Sequence, residues 1–196
     1  LFERLEVSGM RMSELIDDLL EYSQAAKGSA QQEEISLNRI LPDVLEDLDL
    51  EIHHKQAKVT VDDLPVIRGN KRQIHQLFQN LISNALKYSR PDRLPVISIT
   101  SSVVAGNDVG KDLPLPEQDR KFYMIQVTDN GIGFEQRFAD SIFNVFTRLN
   151  SDPKYRGSGI GLAIVKKVVE SHHGYIWADG KPGEGSVFTI LFPQSS

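Results

Sequence analysis

A stripe of carboxamide side chains runs along the amphipathic segment 71–89. Gln76, Asn80 and Asn84 recur at steps of four, which places them on one face of a helix with Lys87 close by. Their oxygens suit a hard cation such as Mg²⁺, and their NH2 groups and the Lys87 ammonium suit phosphate. An ordinary solvated face would more often carry Glu and Lys than Asn, which is a poor helix former.

A second candidate site is the segment Asp129-Asn130-Gly131-Ile132-Gly133, which directly follows a predicted strand. A carboxylate at the end of a strand can accept a hydrogen bond from an exocyclic amine, which would select adenine. The two glycines let the backbone pass close to a flat ligand. The same letters are a common turn signal, so the segment alone fits either a base site or a turn.

A third candidate is the glycine series Gly157, Gly159 and Gly161, which opens a predicted helix. Glycines at a helix start expose backbone N–H groups to an anion, and the helix dipole reinforces the attraction. The series lacks the Lys-Ser/Thr ending of a P-loop, and no strand precedes it as in a dinucleotide fingerprint. It predicts either a phosphate cradle of another kind or a flexible hinge.

The polar segment 147–156 predicts a lid that could close over a ligand. Phe143 and Phe146 are predicted to anchor its base in the core. Arg148 and Arg156 could reach a ligand's phosphates, although lone surface arginines are as readily solvated.

The elements that must position these residues follow from hydrophobic periodicity. Strands and helices interleave without a strict βαβ rhythm, which predicts an α/β (α+β) two-layer sandwich with a mixed sheet covered on one face by helices. Residues 25–34 read as a linker, residues 105–120 as irregular, and Gly174 as a left-handed helix cap. We predict helices over 1–24, 37–54, 71–89 and 159–172, and strands over 58–61, 66–68, 96–103, 122–128, 175–178 and 186–192.

The first predicted helix carries an apolar seam, which predicts that it packs against a partner helix. Periodicity does not distinguish packing on its own domain from packing in a dimer. Because the chain starts in the middle of this pattern, we expect it to be a fragment of a longer protein. The seam consists of two heptad series, Leu1, Leu15 and Tyr22, and Leu5, Met12 and Leu19.

Composition excludes several classes of function. The chain has 196 residues and a net charge of -5, which argues against nucleic-acid binding. It has no apolar run long enough to span a membrane and no signal peptide, so we expect no membrane contact by this fragment and a cytoplasmic location, which leaves open a membrane anchor elsewhere in the parent. It contains no cysteine, which excludes thiol chemistry. The histidines lack metal-ligand spacing and are predicted to be structural or solvated: His53, His54, His75, His172 and His173.

Taken in order, five segments resemble the series of conserved boxes in bacterial sensor histidine kinases. They are QLFQNLISNALKYS, DNGIGF, the F-x-x-F segment, GSGIGLAIVKKVVESHHG and GEGSVFTILFP, within residues 36–194. The wider superfamily includes gyrase, mismatch-repair ATPases and a heat-shock chaperone, but the Asn-Ala-Leu-Lys-Tyr run and the two-Phe segment favour the kinases. The resemblance implies an ATP-binding domain that uses Mg²⁺.

At the phosphate end, the resemblance implies that Asn84 coordinates Mg²⁺ and that Asn80 and Lys87 contact the phosphates. Asn80 and Gln76 would serve catalysis, with Gln76 standing where many relatives have Glu or His near the γ-phosphate. A carboxamide cannot act as a general base, although it can orient other groups. Asn70 stands where relatives often have Asp.

At the base end, the resemblance implies that Asp129 accepts from the adenine amine and that Tyr88 lies by the ribose or adenine. Thr189 would join the adenine network through water. Further nucleotide contacts are implied for Gly131, Ile132 and Gly133, and at the lid and phosphate cradle for Gly157, Ser158, Gly159, Ile160, Gly161 and Leu162.

The segment RMSELIDDLLEYSQ resembles the second helix of the dimerisation and phosphoacceptor domain. We therefore expect residues 1–28 to be a remnant of that domain and residues 29–196 to be the catalytic ATP-binding domain. The phosphoacceptor histidine of the family lies upstream of this helix, so this chain is expected to lack it. The implied partners are ATP, a second copy through the N-terminal helix in the intact parent, and the receiver domain of a response regulator.

Three functions fit these observations. The first is a kinase core that transfers the γ-phosphoryl of Mg-ATP to a histidine. The second, motivated by Gln76 and Asn70, is a degenerate module that binds nucleotide or a partner and signals without transfer. The third is an ATPase clamp of the same superfamily, which would need ATP-gated dimerisation, whereas the heptad helix favours constitutive pairing.

Overall fold

A five-stranded mixed sheet with helices on one face forms the frame of the computed structural model. The structure describes residues 12, 15–17, 19–24, 32–111, 113–150, 155 and 157–194. The elements in chain order are α1 (within residues 12–24), β1 (Glu33–Ser36), α2 (Leu37–Asp47), α3 (Asp49–Lys55), β2 (Lys58–Val61), β3 (Val66–Gly69), α4 (Lys71–Lys87), β4 (Val96–Ala105), α5 (Leu115–Gln118), β5 (Lys121–Asp129), α6 (Gly161–Ser171), β6 (Tyr175–Lys181) and β7 (Gly185–Pro193).

The main sheet has the strand order β2-β4-β5-β7-β6. The edge strand β2 runs parallel to β4, and every other neighbouring pair in this sheet is antiparallel. A separate antiparallel pair joins β1 to β3. Asp129, the last residue of β5, stands between Ile97 of β4 and Ser186 of β7. The predicted mixed sheet is confirmed, and it carries the candidate carboxylate to the end of a central strand.

The main core lies between the sheet and helices α2, α4 and α6. Alternation along β5 turns Ile125 and Val127 toward the helices, and burying such a side chain stabilises the fold by about 1.5–3 kcal/mol. The apolar side of α4 meets them, which leaves its carboxamide stripe half-buried at the flank. The buried residues of α4 include Ile74, Leu77, Phe78, Leu81, Ile82, Ala85 and Leu86.

The opposite face of the sheet carries a smaller cluster, in which Leu113 packs with Phe122 of β5 and Leu191 of β7. Leu113 belongs to the connection between β4 and β5, which was predicted to be irregular throughout. Instead this connection contains a 3-10 turn (Gly106–Asp108) and the one-turn helix α5. The prediction was wrong on this point, and Leu113 gives the otherwise polar segment an apolar anchor on the sheet.

Three predicted boundaries also differ. The linker predicted over residues 25–34 ends before Glu33, because Glu33 and Glu34 belong to β1 and pair with Gly69 and Arg68. The helix predicted over 37–54 is divided at Leu48, which leaves helical geometry between α2 and α3. The left-handed residue after α6 is His173, with φ of 58°, instead of Gly174.

Gly174 still has a defined role at the end of α6. The N–H groups of His173 and Gly174 donate to the carbonyls of Glu170 and Val169, at 3.0 and 2.9 Å, which is the Schellman arrangement. A side chain at Gly174 would collide with the carbonyl of Leu191 on β7. The glycine is therefore required by close packing and not by its backbone angle.

The described residues of α1 contact the catalytic fold at one end. Tyr22 packs against the main core, whereas the heptad residues Met12 and Leu19 are exposed, as are Ile16 and Leu20. Leu1 and Leu5 lie outside the described residues. Across the described ranges, every helix falls short of the length and apolar character needed to cross a membrane. Pairing through α1 and the division at residue 28 stay predictions.

His172 links the end of α6 to the start of α4. Its Nδ1 lies 2.7 Å from the carbonyl of Val168, and its Nε2 accepts from the N–H of Asn70 at 3.0 Å. Asn70 in turn caps α4, because its side chain accepts from the N–H of Gln73 at 3.1 Å. Burial lowers the pKa of His172 from its ordinary value of 6.5. A neutral imidazole satisfies both contacts, and protonation would destroy the acceptor that Asn70 needs.

We expect this link to make stability depend on pH. Because the pKa of His172 is lower in the folded state, the unfolded chain binds more protons just below pH 6.5, so stability is present above that pH and is lost as pH falls. Urea unfolding at about pH 7.5 and about pH 5.5 should show a smaller loss in His172→Gln than in the wild type. Equal losses in both proteins would contradict this role.

Candidate functional site

A pocket of about 660 Å³ opens where the C-terminal half of α4 meets the end of β5. Most of its lining is apolar, with a few polar groups at its rim and floor, which suits a flat base with a polar edge. The lining residues are Asn84, Ala85, Tyr88, Asp129, Ile132, Gly133, Phe134, Ile142, Thr147, Arg148, Leu149, Asn150, Leu162, Ser186 and Phe188.

The last turns of α4 supply one wall. Asn84 and Tyr88 face the pocket one turn apart, and Lys87 Nζ lies 4.8 Å from the centre of the Tyr88 ring. Lys55 of α3 donates to the carbonyl of Leu86 at 2.7 Å, which adds a charged donor at the C-terminal end of the helix, where positive charge is favourable. This contact holds in place the turn that carries the two pocket residues.

Asp129 supplies the polar group of the floor. Its Oδ1 accepts from the N–H of Gly131 at 2.7 Å, and Ser186 also bonds to it. Burial raises the pKa of Asp129 above its ordinary value of 3.8, while the bonds from Gly131 and Ser186 and the charge of Arg93 oppose that shift. The pocket is therefore lined by a carboxylate that is costly to desolvate.

The rest of the D-N-G segment has a structural explanation. The side chain of Asn130 accepts from the N–H of Val96 at 2.9 Å and donates to the carbonyl of Leu94 at 3.0 Å, so it joins the loop to β4. Gly133 has φ of 63°, and a side chain there would collide with the carbonyl of Lys181. A side chain at Gly131 would meet the carbonyl of Tyr88 at 2.6 Å. Both glycines are therefore needed for close approach.

The glycine series meets the polar stripe of α4. A side chain at Gly161 would lie 2.6 Å from Oδ1 of Asn80, and one at Gly157 would reach Nζ of Lys87. Gly159 has φ of 76°. The structure thus brings these glycines close to Asn80 and Lys87. Of the other residues of this segment, Leu162 lines the pocket, Ile160 is buried in the core, and Ser158 accepts from the N–H of Ile160 at 3.2 Å.

Gln76 lies outside this pocket. Its amide donates to the carboxylate of Glu21 on α1, and it lines a neighbouring polar cleft with Asp47, Glu51 and Arg72. Asn80 lines the same cleft and donates to the backbone carbonyl of Gln76 at 3.0 Å. Gln76 therefore contacts the N-terminal helix, one turn of α4 away from Asn80.

Thr189, which was predicted to join an adenine network through water, lies away from the pocket. Thr189 is buried on the face of the sheet opposite the helices, where its hydroxyl accepts from Gln126 at 3.2 Å. The side chains that face the pocket from β7 are Ser186 and Phe188, because strand residues alternate between faces. Ser186 stands opposite Asp129 and bonds to it.

The prediction that Phe143 and Phe146 anchor the base of the lid in the core is only partly correct. Phe143 is buried and packs edge-on against Phe188 with ring centres 6.3 Å apart. Phe146, predicted to be a core anchor, is 60% exposed and has φ of 64°. Arg148 lines the pocket and donates to the carbonyl of Tyr155 at 3.2 Å, whereas Arg156 lies outside the described residues.

Comparisons with known proteins agree with this geometry. A family model described as "Histidine kinase-, DNA gyrase B-, and HSP90-like ATPase" matches residues 69–196. Phytochrome-like protein Cph1 of Synechocystis sp. is 34% identical over 182 residues, which are 93% of this chain and 22% of that protein. Adaptive-response sensory kinase SasA of Thermosynechococcus vestitus is 30% identical over 203 residues, 100% of this chain and 49% of that protein. The chain thus spans less than half the length of these curated relatives.

Solved structures share the fold. Full-length ShkA in complex with AMPPNP superposes with a TM-score of 0.72 at 20% identity, covering 100% of this chain and 40% of that chain. The histidine kinase AdeS of Acinetobacter baumannii superposes with a TM-score of 0.71 at 20% identity, covering 100% of this chain and 84% of that chain.

Proposed function

The chain belongs to the histidine kinase-, DNA gyrase B- and HSP90-like ATPase family and carries an ATP-binding catalytic domain of the sensor histidine kinase type, and on this premise we propose its reaction. It transfers the γ-phosphoryl of Mg-ATP to a histidine of a dimerisation domain in two-component signalling. The observation that carries this proposal is that one pocket joins Asn84 of α4, Asp129 at the end of β5 and the start of α6. These groups suit the phosphate and base ends of a single nucleotide.

At the base end, Asp129 accepts from the amine of adenine, and Tyr88 and Phe134 offer ring surface to the base or ribose. Ile132 and Gly133 bring backbone to the edge of the base. An apolar pocket with one oriented carboxylate matches a base with an exocyclic donor. Solved ShkA is described in complex with AMPPNP, an ATP analogue, which supports the same ligand here.

At the phosphate end, Asn80, Lys87 and the glycines from Gly157 to Gly161 surround the space in which phosphates would lie. Lys87 supplies positive charge, and the glycines allow close backbone approach. The Asn84 oxygen at the pocket wall suits Mg²⁺, which takes few protein ligands when phosphates and water supply the others. Mg²⁺, when bound, neutralises phosphate charge and helps to hold the γ-phosphoryl in line.

In the transfer step, the main contribution of the protein is to position the reacting groups. A neutral imidazole nitrogen attacks the γ-phosphorus, the bond from phosphorus to the bridging oxygen breaks, and ADP leaves with that electron pair. Asn80 and Lys87 stabilise charge that spreads over the phosphates. Because a neutral imidazole is already a nucleophile, no strong base is needed, and Gln76 would orient groups instead of taking a proton.

The remaining parts of the proposal concern the parent protein. Pairing of two copies through α1 follows from its exposed heptad residues, and a response-regulator receiver domain would take the phosphoryl group next. A cytoplasmic location suits a kinase that uses cellular ATP. The second candidate function, a nucleotide-binding module without transfer, now rests on Gln76 alone, because Asn70 is accounted for as the cap of α4.

A transfer assay separates these two functions. The chain, γ-labelled Mg-ATP and an isolated dimerisation domain that bears a phosphoacceptor histidine should give label on that domain. A matched domain with the histidine replaced by Gln should stay unlabelled. Nucleotide binding without any label on a panel of such domains would contradict the kinase proposal and favour the signalling module.

A further inference from the structure

Two arginines that follow α4, Arg90 and Arg93, converge on one backbone carbonyl. Arg93 Nη2 donates to the carbonyl of Gly183 at 2.9 Å, and Arg90 Nη1 donates to the same oxygen. Asp92 fixes Arg90 through two parallel bonds to its guanidinium. Gly183 belongs to the turn between β6 and β7, so these side chains connect the end of α4 to that turn.

The turn is itself bonded to the base end of the pocket. Pro182 and Gly183 occupy its centre, Gly183 has φ of 77°, and the N–H of Glu184 donates to the carbonyl of Lys181 at 3.0 Å, as in a type II turn. The N–H of Gly183 donates to the carbonyl of Ile132 at 2.7 Å. A displaced Gly183 would therefore move Ile132, which lines the pocket.

A second path leads from Arg93 to the carboxylate. Arg93 Nη2 also lies 3.4 Å from the carbonyl of Gly131, whose N–H donates to Oδ1 of Asp129 at 2.7 Å. The positive charge of Arg93 also lowers the pKa of Asp129 and so opposes the effect of burial. Arg93 thus favours both the position and the ionised form of Asp129.

We propose that Arg93, supported by Arg90, is a positioning residue that makes the pocket select adenine over guanine. This inference rests on the proposed nucleotide-binding function. Adenine presents an amine where guanine presents a carbonyl oxygen, so a fixed, ionised Asp129 attracts the first and repels the second. Arg93 does not line the pocket, and it acts through Gly131 and Gly183.

The test compares the dissociation constants of Mg-ATP and Mg-GTP for the wild type and for Arg93→Ala. Loss of a charged donor should raise the ATP constant about tenfold and leave the GTP constant nearly unchanged, so the preference for ATP should fall about tenfold. Arg120→Ala is the matched control, because Arg120 is a half-exposed, ion-paired arginine beside Phe122 on the opposite face of the sheet. It should keep the wild-type ratio.

An equal loss of ATP and GTP affinity in Arg93→Ala would overturn the inference, because a structural defect alone would weaken both. An unchanged ratio would overturn it as well. If Arg93→Ala fails to fold, Arg93→Lys decides, because it keeps the charge but replaces the planar guanidinium, whose Nη2 contacts both carbonyls, with a shorter and more strongly hydrated ammonium, and its ratio should fall about threefold. A wild type that binds neither nucleotide would overturn the proposed function itself.

Discussion

Replacing Asn84 with Ala is expected to lower phosphoryl transfer from Mg-ATP about 100-fold, the usual cost of removing one group that stabilises charge in the reaction. Asn84 is the carboxamide of the α4 stripe that lines the main pocket. Its oxygen is the group that suits Mg²⁺, because a carboxamide oxygen is a hard ligand. The same variant should also lose the increase in ATP affinity that Mg²⁺ gives to the wild type.

Gln79→Ala is the matched control for this prediction. Gln79 is a half-buried carboxamide on the same helix, but it lines the neighbouring polar cleft and not the pocket. Transfer rates and ATP affinity with and without Mg²⁺ should therefore match the wild type. If Asn84→Ala retains transfer, or if Gln79→Ala loses as much, the assignment of the metal ligand is wrong.

Asp129→Asn is expected to weaken ATP binding about 100-fold, because an ionised acceptor of the adenine amine is lost. The same change should raise the melting temperature of the protein without nucleotide. Burial raises the pKa of Asp129 in the folded state, so the ionised carboxylate at neutral pH opposes folding. Asn keeps an oxygen that can accept from the N–H of Gly131.

The two effects have opposite signs, which makes the prediction easy to test. Calorimetric titration with Mg-ATP gives the affinity, and thermal unfolding of the nucleotide-free protein gives the stability. The stabilisation should fade as pH falls, since protonated Asp129 carries no charge to bury. A variant that is both less stable and still selective for ATP would show that Asp129 is structural.

The sequence was sufficient where chemistry and local periodicity coincide. The steps of four from Gln76 to Asn84 predicted one helical stripe, and the strand before Asp129 predicted a carboxylate at the end of a strand. Both patterns are local, and the structure brings Asn84 of the stripe, Asp129 and the start of α6 to one pocket. The fold class followed from the order in which strands and helices interleave along the chain, which the structure preserves.

The sequence was insufficient where the answer depends on register or on distant contacts. Thr189 lies on the face of β7 that is turned away from the pocket, because neighbouring residues of a strand point to opposite faces. Phe188 is buried in the main core, and counting two residues back from it would have identified Ser186. Arg93 carried no local signal, because its partner Gly183 is 90 residues away in the chain. The contact between Gln76 and Glu21 joins elements 55 residues apart and was equally invisible.

Titration of the chain with Mg-ATP in a calorimeter tests the central claim most directly. One nucleotide should bind per chain with a dissociation constant between about 1 μM and about 1 mM, the usual range of KM for enzyme substrates. Binding should be lost in a double variant that combines Asn84→Ala with Asp129→Asn. Absence of binding by the folded wild type, or unchanged binding by the folded double variant, would contradict the assignment of this pocket.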